Sequence, residues 1–203
     1  MFRITSLFVI VMLGLAACSS DELDSDAEAE RAYLGLDDSI GKAMTLGFAG
    51  FNAATNANIP DQNGTGTVKG TLVIGGQVDA GTSSNKEMRL RIGMVGYSDG
   101  KVTVDGDDKQ IDITYDTAAG TDRTLQPELD LSLHNFPNGT LTGSLIGDYT
   151  MTGDIEGTAT LNLTISGMIM DDGTGKTVRT PGTTHITGTA VSGDGMFNVD
   201  VTL

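Results

Sequence analysis

Gly139-Thr140-Leu141-Thr142-Gly143-Ser144-Leu145-Ile146-Gly147-Asp148-Tyr149-Thr150-Met151 reads as a β-strand in which one face alternates small and large residues. Gly139, Leu141, Gly143, Leu145, Gly147, Tyr149 and Met151 share one parity, and strand side chains two positions apart point the same way. Inward-facing glycines let a sheet coil tightly, and small/large alternation fills the taper of a small barrel. This stretch therefore argues for a curled antiparallel sheet over a flat sandwich.

The same period of two extends on both sides. Met88, Leu90, Ile92 and Met94 alternate with Arg89, Arg91 and Gly93, and Leu129, Leu131 and Leu133 alternate with Asp130 and Ser132. Ile111, Ile113 and Tyr115 flank Asp112 and Thr114. Ile155 to Ile165 and Phe197 to Leu203 repeat the pattern. One buried and one wet face is the signature of antiparallel strands. Turn formers interrupt the tracts at Ala80-Gly81, Asp99-Gly100, Ala119-Gly120, Pro137-Asn138-Gly139, Asp172-Gly173 and Gly193-Asp194-Gly195. The spacing predicts a mainly β domain over residues 64–203, a meander of about eight to ten strands curled into a small barrel or strongly bent sheet. Gly-Thr/Ser-aliphatic units recur too irregularly for a β-solenoid. A membrane-spanning barrel fits the alternation but lacks aromatic girdles, since the chain has no tryptophan and 5% aromatics.

Upstream, the period lengthens to that of a helix. Tyr33, Leu36, Ile40, Ala43, Met44, Gly47, Phe51 and Ala54 recur at three- and four-residue steps, predicting one N-terminal helix over residues 32–58. Gly35, Gly41, Gly47 and Gly50 each weaken it by up to about 1 kcal/mol relative to alanine, so it should form by docking its stripe on the sheet. Asn56 to Gly64 then supplies turn formers. Before the helix, Asp21 to Glu30 carries six acidic residues and no basic one, and residues 18–31 read as an anchor followed by a repelling, extended tether.

Residues 1–17 open with Arg3 and an uncharged apolar run of 12 residues, Ile4 to Leu15. That is short of the roughly 20 needed to span a bilayer, so it reads as a signal-peptide core. Leu15-Ala16-Ala17-Cys18 follows, and Cys18 is the chain's single cysteine. The stretch resembles the lipobox of bacterial lipoproteins. The resemblance covers the leader alone. It implies lipidation of Cys18, cleavage before it and attachment to a membrane through two or three acyl chains, which hold far more firmly than one. Ser19 and Ser20, in place of an aspartate, imply sorting to the outer membrane of the cell envelope.

Composition excludes other classes. A net charge of −15 argues against nucleic acid as a partner, and one cysteine excludes a disulfide framework. Gly96-Tyr97-Ser98-Asp99-Gly100 matches G-x-S-x-G but lies between strands, without the strand-to-helix elbow that motif requires. Gly173-Thr174-Gly175-Lys176-Thr177 lacks the first glycine of a phosphate loop. Ser39-Ile40-Gly41-Lys42 fits S-x-x-K without its companion motifs. His134 and His185, the two candidate bases, fall at surface positions. Asp105, Asp107, Asp108 and Asp112, with Gly106 between the first two, form a candidate Ca²⁺ tract, because alternate hard oxygen ligands can wrap that ion. No other cofactor is indicated.

The sequence thus points to a lipid-anchored envelope protein with a non-catalytic structural or interaction role toward another envelope component. The alternative is a lipid or other hydrophobic small molecule held in a barrel cavity lined by Leu141, Leu145, Tyr149, Leu161, Leu163 and Ile165.

Overall fold

The alternating tracts pair as antiparallel strands, and the glycine-rich segment upstream folds as helix against their inner face. The computed structural model describes residues 22–53, 55–104, 107–110, 112–118, 122–193 and 195–203, with backbone alone at 53, 101, 103, 104 and 107–110. The leader and Cys18 lie outside the described residues.

Two helices, α1 (Asp26–Leu34) and α2 (Asp37–Ala53), precede the strands. These are β1 (Asn58–Thr65), β2 (Lys69–Val78), β3 (Lys86–Ser98), β4 (Lys101–Val104), β5 (Asp107–Gln110), β6 (Ile113–Asp116) and β7 (Glu128–His134). The chain continues through β8 (Gly139–Gly153), β9 (Gly157–Asp171), β10 (Thr177–Arg179), β11 (His185–Ser192) and β12 (Gly195–Thr202). Strands β4 and β5 form a separate hairpin, and the other ten form one antiparallel sheet. The fold is therefore the mainly β meander with an N-terminal helical segment packed on it that the alternation predicted.

The pairing has two shared lanes. β7 bonds the first half of β3 and of β8, and β6 bonds their other ends, so β6 and β7 lie end to end between the same neighbours. β11 and β10 likewise share the far side of β9. One lateral row of facing residues then runs across the whole sheet: Ile59, Gly76, Leu90, Leu129, Leu145, Leu163, Gly188 and Val199. Its apolar side chains are all buried.

The small/large alternation of β8 is complemented by β9. Leu141 faces Gly167, Gly143 faces Ile165, Gly147 faces Leu161, Tyr149 faces Ala159 and Met151 faces Gly157. Only Leu145 and Leu163 meet as two large residues on this face. Filling each glycine's space from the neighbouring strand keeps the concave side dense while the sheet bends. Full burial of each such aliphatic side chain contributes about 1.5–3 kcal/mol.

Three boundaries differ from the sequence reading. The acidic run expected as tether over 18–31 is helical from Asp26, and Ala29 is fully buried. The Ser25 side chain accepts from the Glu28 amide, and Glu28 reaches back to the Asp24 amide at 3.1 Å. Acidic residues also suit a helix N-terminus, where the backbone dipole is positive, so charge density here favours the helix start.

The single helix expected over 32–58 is broken at Gly35-Leu36. The Ala32 carbonyl, which would accept from the Leu36 amide in an unbroken helix, accepts from Tyr115 Oη at 2.8 Å instead. The Leu36 amide turns to the Tyr33 carbonyl. Finally, the stretch expected as a turn is strand β1. Its register shifts between Ile59 and Gln62, where Pro60 is tolerated because β1 is an edge strand.

The helical segment packs against both edge strands, α1 on β12 and α2 on β1 and β2. The Asp26 carboxylate accepts from the Asn198 amide at 2.7 Å, covering part of the β12 edge. Two of the glycines in α2 mark its close approach to the sheet. A Cβ on Gly47 would stand 3.2 Å from Leu90 Cδ1, and one on Gly50 would stand 3.0 Å from the Ile59 side chain.

Candidate functional site

The six residues expected to line a barrel cavity are brought together in the buried core. Leu141, Leu145, Tyr149, Leu161, Leu163 and Ile165 are each buried to within 1% of full and belong to one apolar cluster that includes Tyr33, Leu36 and Ile40 from the helical segment. None of them lines either of the two cavities described below. The reason is that the concave face, which the strand pattern leaves available for a ligand, is occupied by α1 and α2.

The larger cavity, about 610 Å³, lies at the hairpin end of the sheet under the second half of α2. Phe48, Phe51 and Ala49 come from α2, and Phe136 and Pro137 come from the turn between β7 and β8. Gly81 to Ser84 of the β2–β3 turn and Gly175 to Thr177 at the start of β10 complete it. The Phe136 amide donates to the Ser84 carbonyl at 2.7 Å and the Asn135 amide to Asn85 Oδ1 at 3.1 Å, so two hairpin tips are fastened to one another. Phe48 and Phe136 stack obliquely with ring centres 4.9 Å apart.

Two of the polar residues in this lining are buried. Lys86 is 6% exposed, and its ammonium donates to the carbonyls of Gly81 at 2.6 Å and Asp79 at 3.4 Å. The same ammonium stands 5.2 Å from the centre of the Phe51 ring, within cation–π range. Thr177 is buried, and its hydroxyl has no hydrogen-bond partner among the described residues.

The second cavity, about 490 Å³, is bordered by Asp38, Lys42, Leu46, Thr65, Val178 and Arg179. Its two cations, Lys42 and Arg179, are paired within the fold. Asp99, 2% exposed, accepts from Lys42 Nζ at 2.5 Å, Tyr97 Oη at 2.6 Å and the Thr67 amide at 2.7 Å. Burial raises the Asp99 carboxyl, but these hydrogen bonds together outweigh burial and hold it below the usual carboxylate range. Arg179 forks onto the two Asp37 oxygens at 2.7 and 2.6 Å, and Tyr33 donates to the same carboxylate at 2.7 Å. Asp38 is pushed up by burial and by the neighbouring Asp99 and Asp37. These clusters clamp α2 to β3 and β10 and leave little to offer a ligand.

The string matches to catalytic motifs take structural places. Ser98 is fully buried at the end of β3, and Ser39 is 1% exposed with its hydroxyl donated to the Leu36 carbonyl. His134 is exposed, 3.2 Å from Ser132 Oγ, whose proton goes to Glu87 at 2.6 Å; the carboxylate thus contacts the hydroxyl and does not orient the imidazole. His185 is exposed and meets Asp200 at 2.8 Å.

Of the calcium candidates, Asp105 lies outside the described residues, and Asp107 and Asp108 are described by backbone alone in β5. Asp112 is exposed and meets Lys69 at 3.3 Å. Among the described residues no cluster of three metal-ligating side chains occurs.

Sequence reasoning missed the larger cavity because its walls join α2 to three turns far apart in the chain. The available signal was Phe136-Pro137 in a turn and Phe48 and Phe51 three residues apart on the helix. Comparison with protein-family models, with curated proteins and with solved structures gives no match, so the geometry alone carries the functional reading.

Proposed function

We propose that this chain is a lipid-anchored envelope protein, tethered through Cys18, whose β domain holds an apolar small molecule without transforming it. The observation that carries this is the aromatic cleft under α2. Of the four phenylalanines outside the leader, Phe48, Phe51 and Phe136 line it. Its volume falls within the range of pockets that enclose one small ligand, roughly 300–1,000 Å³. The expected cavity inside the barrel is replaced in this proposal by a cleft at its mouth.

A role in contact with another envelope component has one observation in its favour. Val191 and Met196 pair across β11 and β12 on the outer face, 37% and 68% exposed. Single exposed apolar pairs are common on protein surfaces, which makes this the lesser reading.

The cleft is tested with the neutral fluorescent probe 1-aminoanthracene. The full chain is expected to bind it, and Phe48→Ser to weaken binding at least tenfold with an unchanged circular dichroism spectrum. Equal binding by both proteins contradicts the assignment. The anchor is tested by fractionation: Cys18→Ser should leave the membrane fraction, and its retention there contradicts lipidation.

A further inference from the structure

The cleft carries a charge preference as well as an apolar wall. We infer that its ligand is an anionic amphiphile, a single apolar chain or ring system ending in one carboxylate, with the anionic end paired to Lys86. This rests on the cleft being a ligand site at all.

Three observations lead there. The chain has 27 acidic and 12 basic residues, yet the residues lining this cleft include Lys86 and Lys176 and no Asp or Glu. The charged residues of the lining are therefore opposite in sign to the net charge of the chain. Lys86 is also a buried cation without an ionic partner: among the described residues no carboxylate lies within ion-pair distance of it. Lysine is among the residues least often fully buried unless paired, because burial removes its hydration. Its contacts within the fold are two carbonyls and the Phe51 ring, none of which carries a compensating charge. The third observation is the Thr177 hydroxyl, a buried polar group of a residue lining the cleft that has no hydrogen-bond partner among the described residues.

The surrounding charges are consistent with this assignment. Asp79 offers Lys86 its carbonyl while its carboxylate faces Arg89 at 3.8 Å. Lys176 is exposed at the rim, where the adjacent Asp172 carboxylate accepts from its amide at 3.2 Å. Lys86 is thus the cation within the wall, and Lys176 attracts anions from outside. A charge-assisted bond is roughly twice as strong as a neutral one, so the head group should dominate selectivity among ligands with the same chain.

The test is calorimetric titration of the full chain carrying Cys18→Ser, so that no acyl group of its own competes, with octanoate, octanol and octylammonium at neutral pH. Octanoate should bind at least tenfold more tightly than octanol, and octylammonium more weakly than either. Lys86→Met should abolish the preference for octanoate over octanol, whereas Lys86→Arg should keep it. Equal affinities for octanoate and octanol in the unsubstituted cleft overturn the charge assignment while leaving the apolar site standing. A preference for octanoate that survives Lys86→Met overturns it too. If none of the three binds, the cleft is not a ligand site and both readings fall together.

Discussion

Tyr115 Oη donates a 2.8 Å hydrogen bond to the Ala32 carbonyl, joining the middle of the sheet to the end of the first helix. Ala32 lies in the last turn of that helix, where carbonyls lack helical partners. Burial pushes the Tyr115 phenol well up, so it remains a donor. Tyr115→Phe leaves this carbonyl unsatisfied in a buried setting and should destabilise by about 1–3 kcal/mol. Urea unfolding checks it: the midpoint should fall with an unchanged slope, and an unchanged midpoint would remove the bond from the account.

Two glycines of the helical segment, one at its break and one inside α2, should respond to alanine with opposite signs. At Gly41 a Cβ would have nothing within 4 Å, whereas at Gly35 it would fall 2.3 Å from Tyr115 Oη. Gly41→Ala should stabilise by up to about 1 kcal/mol through helix propensity alone. Gly35→Ala should destabilise, because the phenol is fixed by its bond to Ala32. Thermal melts of the two variants decide the point, and the same direction in both would contradict the packing described.

Asp99 gives the stability a dependence on acid. Its carboxyl is depressed in the folded protein despite burial, through hydrogen bonds from Lys42, Tyr97 and the Thr67 amide. The unfolded chain, with an ordinary pKa near about 3.9, therefore binds the proton first as pH falls. The contribution is fully present above that value and disappears as pH drops through the lower folded pKa. Asp99→Asn should flatten the loss of stability below about pH 4 relative to the parent chain. Melts in a pH series read this directly, and parallel curves would show that Asp99 does not contribute.

Most of the fold was legible in the sequence because period two survives wherever one face is buried and the other wet. The strand breaks at Ala80-Gly81 and Asp172-Gly173 fall between strands, and the one at Pro137-Asn138-Gly139 ends on the first residue of β8. The parity of Leu141, Leu145, Leu161 and Ile165 put them in one interior. The helix start was missed because Ser25-x-x-Glu28, a capping signal, was embedded in a run whose charge suggested an extended chain. The break at Gly35 was not legible, since its cause is Tyr115, 80 positions away in the chain. The cleft was illegible for a related reason: Phe48, Lys86, Phe136 and Thr177 meet only after the sheet has curled.

Native mass spectrometry of the acylated protein released from its own membranes tests the central claim most directly. The cleft reading expects one small molecule bound per chain in excess of the acyl-modified mass, and its loss from the Phe48→Ser variant. A parent chain that carries nothing beyond its acyl groups, or a bound molecule retained equally by Phe48→Ser, would contradict it.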